Sequence, residues 1–141
     1  MAALTLFDCF TEDVAEKVHN LGSDQFVVAL CAAANAPTAS DTVLTDLTQA
    51  TYTYCSNRNI TTTTSAQTSG TYKLVLADLT LTASGGAVGP FRYAVIYNDT
   101  STSDSLIGYI DRGEDITLSD TDSLTLNFDG SGGALTIGPA A

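Results

Sequence analysis

A single histidine, His19, accompanies three cysteines and sixteen acidic residues, so any Ser-His-Asp or Cys-His mechanism has one imidazole to use. His19 stands beside Asn20 at the end of the one stretch with helical spacing, where the ordinary role of a histidine is to partner the helix dipole or cap the last turn. A dyad with Cys9 or Cys31 requires a proximity that sequence spacing does not supply. Cys9, Cys31 and Cys55 form an odd set without CxxC spacing, in a chain long enough to build a core without a disulfide framework. They read as free, mostly buried thiols.

The acids Asp99, Asp104, Asp111, Glu114, Asp115, Asp120, Asp122 and Asp129 offer the oxygen ligands that a hard cation such as Ca²⁺ prefers. They match neither an EF-hand loop nor a GGxGxDxUx repeat. Most stand at expected strand ends, where Asp accepts the amide protons of turns. Glycosidase chemistry needs two carboxylates at a set separation in space, which distance along the chain does not report. The glycine-rich stretches SGGAVGP (84–90) and DGSGGA (129–134) fit neither GxGxxG before a helix nor a P-loop ending in GK[ST], so they read as turns. No catalytic, cofactor-binding or metal-ligating set is assigned, and the chain reads as non-enzymatic. Tyr52, Tyr54, Tyr93, Tyr97 and Tyr109 are candidate stacking surfaces for sugar rings, which keeps a carbohydrate-binding or hydrolytic sandwich open, although alternation turns Tyr93 and Tyr97 toward a core.

Composition narrows the partners. The 141 residues carry a formal charge of -11, and the five bases Lys17, Arg58, Lys73, Arg92 and Arg112 are scattered singly. Nucleic-acid binding needs a basic stripe to displace counterions from phosphates, so no nucleic acid is expected. No apolar run approaches the roughly 20 residues that span a bilayer, and no basic region precedes a hydrophobic core at the start, so neither membrane nor leader is expected. The sequons at Asn59 and Asn98 then read as chance matches. With 44% hydrophobic residues, the chain suffices for one core.

These residues must be positioned by mostly extended chain. The spacing predicts one short helix within Leu4–Leu21, capped by Thr11, with Glu12 and Asp13 in its first turn, Val14, Val18 and Leu21 on one face and Gly22 as its stop. Residues 1–22 are thus expected to form a docking arm or short helix, and 23–141 a single β-sandwich. QFVVALC, from Gln25 to Cys31, is apolar nearly throughout, as in a strand covered on both faces. Ala32–Thr48 reads as a long surface loop with at most one short strand, and Asn59–Gly70 as a Thr-rich edge strand. Apolar alternation from Tyr72 changes register near Asp78, which suits a crossing between two sheets. In FRYAVIYN, Phe91, Tyr93, Val95 and Tyr97 are expected on one face, and Gly108 inside SLIGYID marks a bulge or a close backbone approach. Strands around Asp115–Leu118 and Leu124–Phe128 flank the acidic turn SDTD, and ALTI forms a last edge strand. About seven to nine strands make an all-β, two-sheet antiparallel sandwich or jelly-roll-like domain.

The strings FTEDVAEKVHNLGSDQFVVALCAAANAP, SGTYKLVLADLTLTASGGAVGPFRYAVIYNDT and SLIGYIDRGEDITL resemble small virion structural proteins of tailed bacteriophages, over roughly Phe7 to Ile137. HNLGSDQFVVAL and GPFRYAVIYND are the most recognisable parts, and CAAANAP and TYTYCSNRN depart most. The resemblance implies a capsid decoration or cement protein on the outer capsid surface of the virion, bound to the major capsid protein and assembled in the bacterial host cytoplasm. It carries no catalytic motif, so no active residue is transferred. Self-association, including a trimer, fits small sandwiches of this kind. Leu4–Leu21 and Ala32–Thr48 are the expected contact segments. A neck, tail or fibre-associated component is the alternative within the virion.

Overall fold

The computed structural model describes residues 4–128 and 133–138. Along the chain run β1 (Thr5–Leu6), the helix α1 (Cys9–Ala15), β2 (Phe26–Cys31), β3 (Asn59–Ile60), β4 (Thr62–Thr68), β5 (Thr71–Leu76), β6 (Leu79–Thr82), β7 (Val88–Asn98), β8 (Leu106–Leu118), β9 (Ser123–Leu126) and β10 (Leu135–Ile137). Single 3₁₀ turns lie at Ala33–Asn35 and Leu44–Asp46. One sheet has the order β1-β8-β7-β2-β3, a second β10-β5-β4 and a third β6-β9, all paired antiparallel. The protein is an all-β, sandwich-like domain with one helix. Ten strands are described: β10 is the expected ALTI edge strand, the expected strands at SLIGYID and 115–118 are one strand, β8, and β1 and β3 have two residues each, too short to show alternation.

The five-stranded sheet is covered on both faces, as the sequence of β2 requires. Phe26, Val28 and Leu30 point into the main core, where they meet Leu74 and Leu76 of β5, Leu81 of β6, Leu126 of β9 and Leu135 of β10. Val27, Ala29 and Cys31 point the other way, into a second cluster with Phe7, Val95, Tyr97 and Leu106. The segment 32–48 lies over this second face. Leu44 and Leu47 pack on the cluster, Leu44 N–H donates to Asp104 O at 3.0 Å, and Leu106 N–H donates to Thr42 O at 3.0 Å. The chain passes from the three-stranded to the two-stranded sheet between Leu76 and Leu79, where the alternation changes register. β4 is an edge strand, as its Thr run suggests.

Residues 4–22 are built into this architecture and do not stand apart as an arm. β1 pairs with β8, Phe7 enters the second cluster and Phe10 the main core, each 2% exposed. Gly108 admits this pairing, because a Cβ there would lie 2.8 Å from Thr5 O. The helix is shorter than its pattern. Asp8, not Thr11, is the residue before its first turn, and its side chain makes no capping bond. It ends at Lys17, which adopts φ 69°, with Val18 N–H donating to Asp13 O and Lys17 N–H to Val14 O, a Schellman ending with lysine where glycine is usual. Val18, Leu21 and Gly22 therefore lie beyond the helix. The expected face of β7 also divides: between Phe91↔Ile116 and Tyr93↔Asp111 the register shifts, with Gly113 at φ 94° in the extra β8 residues. Phe91 thus joins the main core, while Tyr93, Val95 and Tyr97 face the second cluster.

Candidate functional site

His19 is buried and occupies no helix end. Beyond Lys17 the chain turns back, and the imidazole stacks on Phe10 with ring centroids 5.7 Å apart. Asn98, at the end of β7, is fully buried, and its Oδ1 accepts the N–H groups of Thr100 at 3.0 Å and Ser101 at 3.2 Å. That fixes its amide orientation, so Nδ2 donates to His19 Nδ1 at 3.0 Å and to Asp24 Oδ2 at 2.7 Å. The ring proton consequently sits on Nε2, which has no hydrogen-bond partner and lies 3.9 Å from Asp13 Oδ2. Burial pushes the imidazole pKa below its usual value, against the opposing pull of Asp13 and Asp24. The ring joins α1, the 20–24 turn and β7. Its nitrogens meet Asn98 and Asp13 rather than a thiol, so the Cys-His dyad weighed from sequence is not assembled.

The thiols are also held as thiols. Burial, reinforced by Asp13, pushes Cys9 up to about 11, and burial with Asp41 pushes Cys31 up to about 11. Burial raises Cys55 as well. All three are free. A thiolate is the nucleophile in cysteine chemistry, and these environments oppose its formation.

Four of the eight carboxylates accept main-chain amide protons, Asp111 and Asp122 within a local turn and Asp115 and Asp120 from distant segments. Asp111 forms a bidentate pair with Arg92, at 2.7 Å to Nε and 3.0 Å to Nη2, and accepts Gly113 N–H. Those bonds, led by Arg92, hold it below the ordinary carboxylate range. Asp115 accepts Ala33 N–H, Asp120 accepts Gly85 N–H and Asp122 accepts Ser119 N–H. At three others the main chain bonds: Asp99 N–H donates to Gln25 O, Asp104 N–H donates to Ser101 O while its carbonyl accepts Leu44 N–H, and the carbonyl of Glu114 accepts from Arg112. Asp129 lies outside the described residues. Among the described residues no group of three metal-ligating side chains is assembled.

The tyrosines divide in the same way. The guanidinium of Arg58 lies 3.6 Å over the Tyr52 ring. Tyr93 and Tyr109 meet edge to face at 5.9 Å, Tyr109 packs on Phe7, and Tyr97 is buried. Tyr54 alone of the five is an exposed large hydrophobic, lying so close on Gly86 that a Cβ there would fall 2.4 Å from its ring.

What remains open is a seam of the sandwich. β1 ends the five-stranded sheet and β10 ends the three-stranded one, and both border a groove beside α1. Leu6, Phe10, Thr11, Val14 and Ala15 face Thr136, Ile137 and Gly138 across a cavity of about 490 Å³. Past Val14, Ala15 and Ile137 the groove continues into a second cavity of about 440 Å³ that reaches Leu21, Ser65, Tyr72 and His19. Leu6, 37% exposed, and Ile137, 41% exposed, are two of the three exposed large hydrophobics among the described residues, and both stand here. A separate cleft of about 480 Å³ is polar, between Lys17, Asp24 and the hydroxyl groups of 100–103. The sequence reading missed the groove because its walls come from segments more than a hundred residues apart; the only local sign was the apolar Ile137 in a short terminal strand.

The fold is a sandwich-like β domain in which His19 packs on Phe10, the three cysteines are free and an apolar groove stays open beside α1. Among the described residues no helix is long and apolar enough to cross a membrane. No protein-family model, curated protein sequence or solved structure matches the chain.

Proposed function

We propose that this chain is a non-enzymatic structural protein of a tailed-bacteriophage virion, one that decorates or cements the head by binding major capsid protein subunits at the outer surface. The observation that carries this reading is the open seam. Two short edge strands and two exposed aliphatic side chains line one groove, in a molecule whose histidine is packed and bonded and whose tyrosines, Tyr54 apart, are at least partly buried. Apolar surface left uncovered beside unpaired strand edges suits an assembly surface. The resemblance of HNLGSDQFVVAL and GPFRYAVIYND to virion proteins supplies the assembly. Copies of the chain meet one another along β4, whose exposed TTTSAQT edge carries no charge and so adds no repulsion between two chains of -11.

Quantitative mass spectrometry of purified virions tests this directly, by counting copies against the major capsid protein. A number near that of the shell subunit is expected. A few copies to a few dozen would move the protein to the neck or tail, and absence from particles would reject a virion role.

A further inference from the structure

We propose that residues 17–24 form a strap along the flank of the sandwich, tied to β7 through His19 and released when that ring takes up a second proton in acid. Within the strap only His19 and Leu21 are buried. The amides of Asn20, Gly22, Ser23 and Asp24 all donate within 20–24, to Asp24 Oδ2, Asn20 Oδ1 and the Asn20 carbonyl. The turn thus holds its own shape whether or not it touches the sheet. Among the described residues, the hydrogen bonds between the strap and β7 all come from one group, Asn98 Nδ2, which donates to His19 Nδ1 and to Asp24 Oδ2. Lys17 and Asn20 line the apolar cavity on one side and the polar cleft on the other, so the strap is the wall between the two and its release joins them. A segment with so few ties opens at a lower free energy than the core it covers.

The geometry makes the ring sensitive to protons. Nε2 already carries one, so a second must go to Nδ1. Nδ1 faces an amide that cannot turn round, because Asn98 Oδ1 accepts from Thr100 and Ser101 while Nδ2 also donates to Asp24. A protonated ring would set donor against donor at 3.0 Å, on a side chain that is fully buried. The opposing attractions act from farther away. On α1 the charged group facing the ring is Asp13, whose Oδ2 lies 3.9 Å from Nε2, beyond hydrogen-bond length. Asp24, in the turn, reaches the ring across the amide of Asn98. Lys17 lines the same cavity with the sign of an imidazolium, and on the far wall Tyr72 is bonded to the Ser65 hydroxyl at 2.6 Å. Burial outweighs both acids and holds the closed-state pKa below 6.5. Opening returns the ring to its ordinary value and so takes up a proton: falling pH favours the open strap by up to about tenfold per pH unit from 6.5 down to the closed-state pKa, and no further below it.

Because His19 is the only histidine, one set of imidazole signals reports it. NMR of the ¹⁵N-labelled full chain, acidified stepwise from neutral pH, should show the Nε2–H tautomer first and then a titration midpoint below 6.5. Over the same range, hydrogen exchange corrected for intrinsic rates should lose up to about tenfold in protection per pH unit at the amides of 19–24 and at Asn98 Nδ2, while Leu30 and Leu74 stay protected. His19→Asn, folded by circular dichroism, should lack that pH dependence; where it fails to fold, the wild-type tautomer, midpoint and exchange decide. An Nδ1–H tautomer, a midpoint at or above 6.5, strap protection unchanged on acidification, or the same loss of protection in His19→Asn would overturn the assignment. So would loss of protection at Leu30 and Leu74 in step with the strap, since acid would then unfold the sandwich as a whole.

Discussion

Replacing Tyr52 by Phe removes one oxygen and tests how the outer edge of β2 is closed. β3 pairs only with Phe26 and Val27. Beyond them the edge is satisfied piece by piece: Val28 N–H donates to Arg58 O at 3.0 Å, Arg58 Nη1 donates to Val28 O at 2.5 Å, Leu30 N–H donates to the Tyr52 hydroxyl at 2.8 Å, and Ala50 N–H donates to Leu30 O at 2.8 Å. The Tyr52 hydroxyl in turn donates to Gln49 Oε1 at 2.8 Å. Burial pushes this phenol up to about 12, so it stays protonated through ordinary assay conditions. Phe keeps the ring under Arg58 but strands the amide of Leu30, a residue with no exposed surface. An unsatisfied buried donor costs about 1–3 kcal/mol. With a urea slope of about 2 kcal/mol/M, the unfolding midpoint should fall by about 0.5–1.5 M. Urea titration by circular dichroism gives the midpoint, and hydrogen exchange should show faster loss at the Leu30 amide. An unchanged midpoint with unchanged Leu30 exchange would refute the claim that side chains seal this edge.

Two further outcomes follow from the packing. His19 is held neutral, its folded pKa below the unfolded value near 6.5, so the stability it confers is present above pH 6.5 and is lost as pH falls from there toward the folded pKa. Wild type should therefore lose stability more steeply below pH 6.5 than His19→Asn, which keeps an acceptor near Nδ1 but does not titrate; equal slopes in urea midpoints would show that the ring protonates freely in the fold. Removing residues 1–18 deletes β1, α1, Phe7 and Phe10. Because losing one buried Phe side chain costs about 3–5 kcal/mol against a total stability of about 5–15, the shortened chain should not fold. A cooperative melt by circular dichroism would contradict the integral role of that segment.

Legibility in the sequence followed the range of the forces concerned. β2 was readable because an unbroken apolar run has few alternatives to burial on both faces, and β4 because Cβ-branched Thr favours extended chain even without a core. The change of register near Asp78 and the glycine at 108 were also legible, since each breaks a local pattern for a reason the fold supplies, a change of sheet and the approach of Thr5. The helix end was not. A left-handed Lys17 is disfavoured locally and is held by the Schellman bonds and the packing of His19 on Phe10, neither of which spacing reveals. Phe91 changed faces through extra residues in β8, a partner its own strand cannot report. The role of 32–48 as the cover of a sheet, and the groove at the seam, likewise depend on contacts between distant segments.

The central claim, that this is an assembly module whose seam meets the shell, is tested most directly by titrating purified protein onto phage particles grown without it and measuring bound copies at saturation. Wild type should saturate at a fixed ratio to the major capsid protein, while Ile137→Asp, folded by circular dichroism, should bind at least about tenfold more weakly. Particles that take up no wild-type protein, or take up both proteins equally, would contradict it.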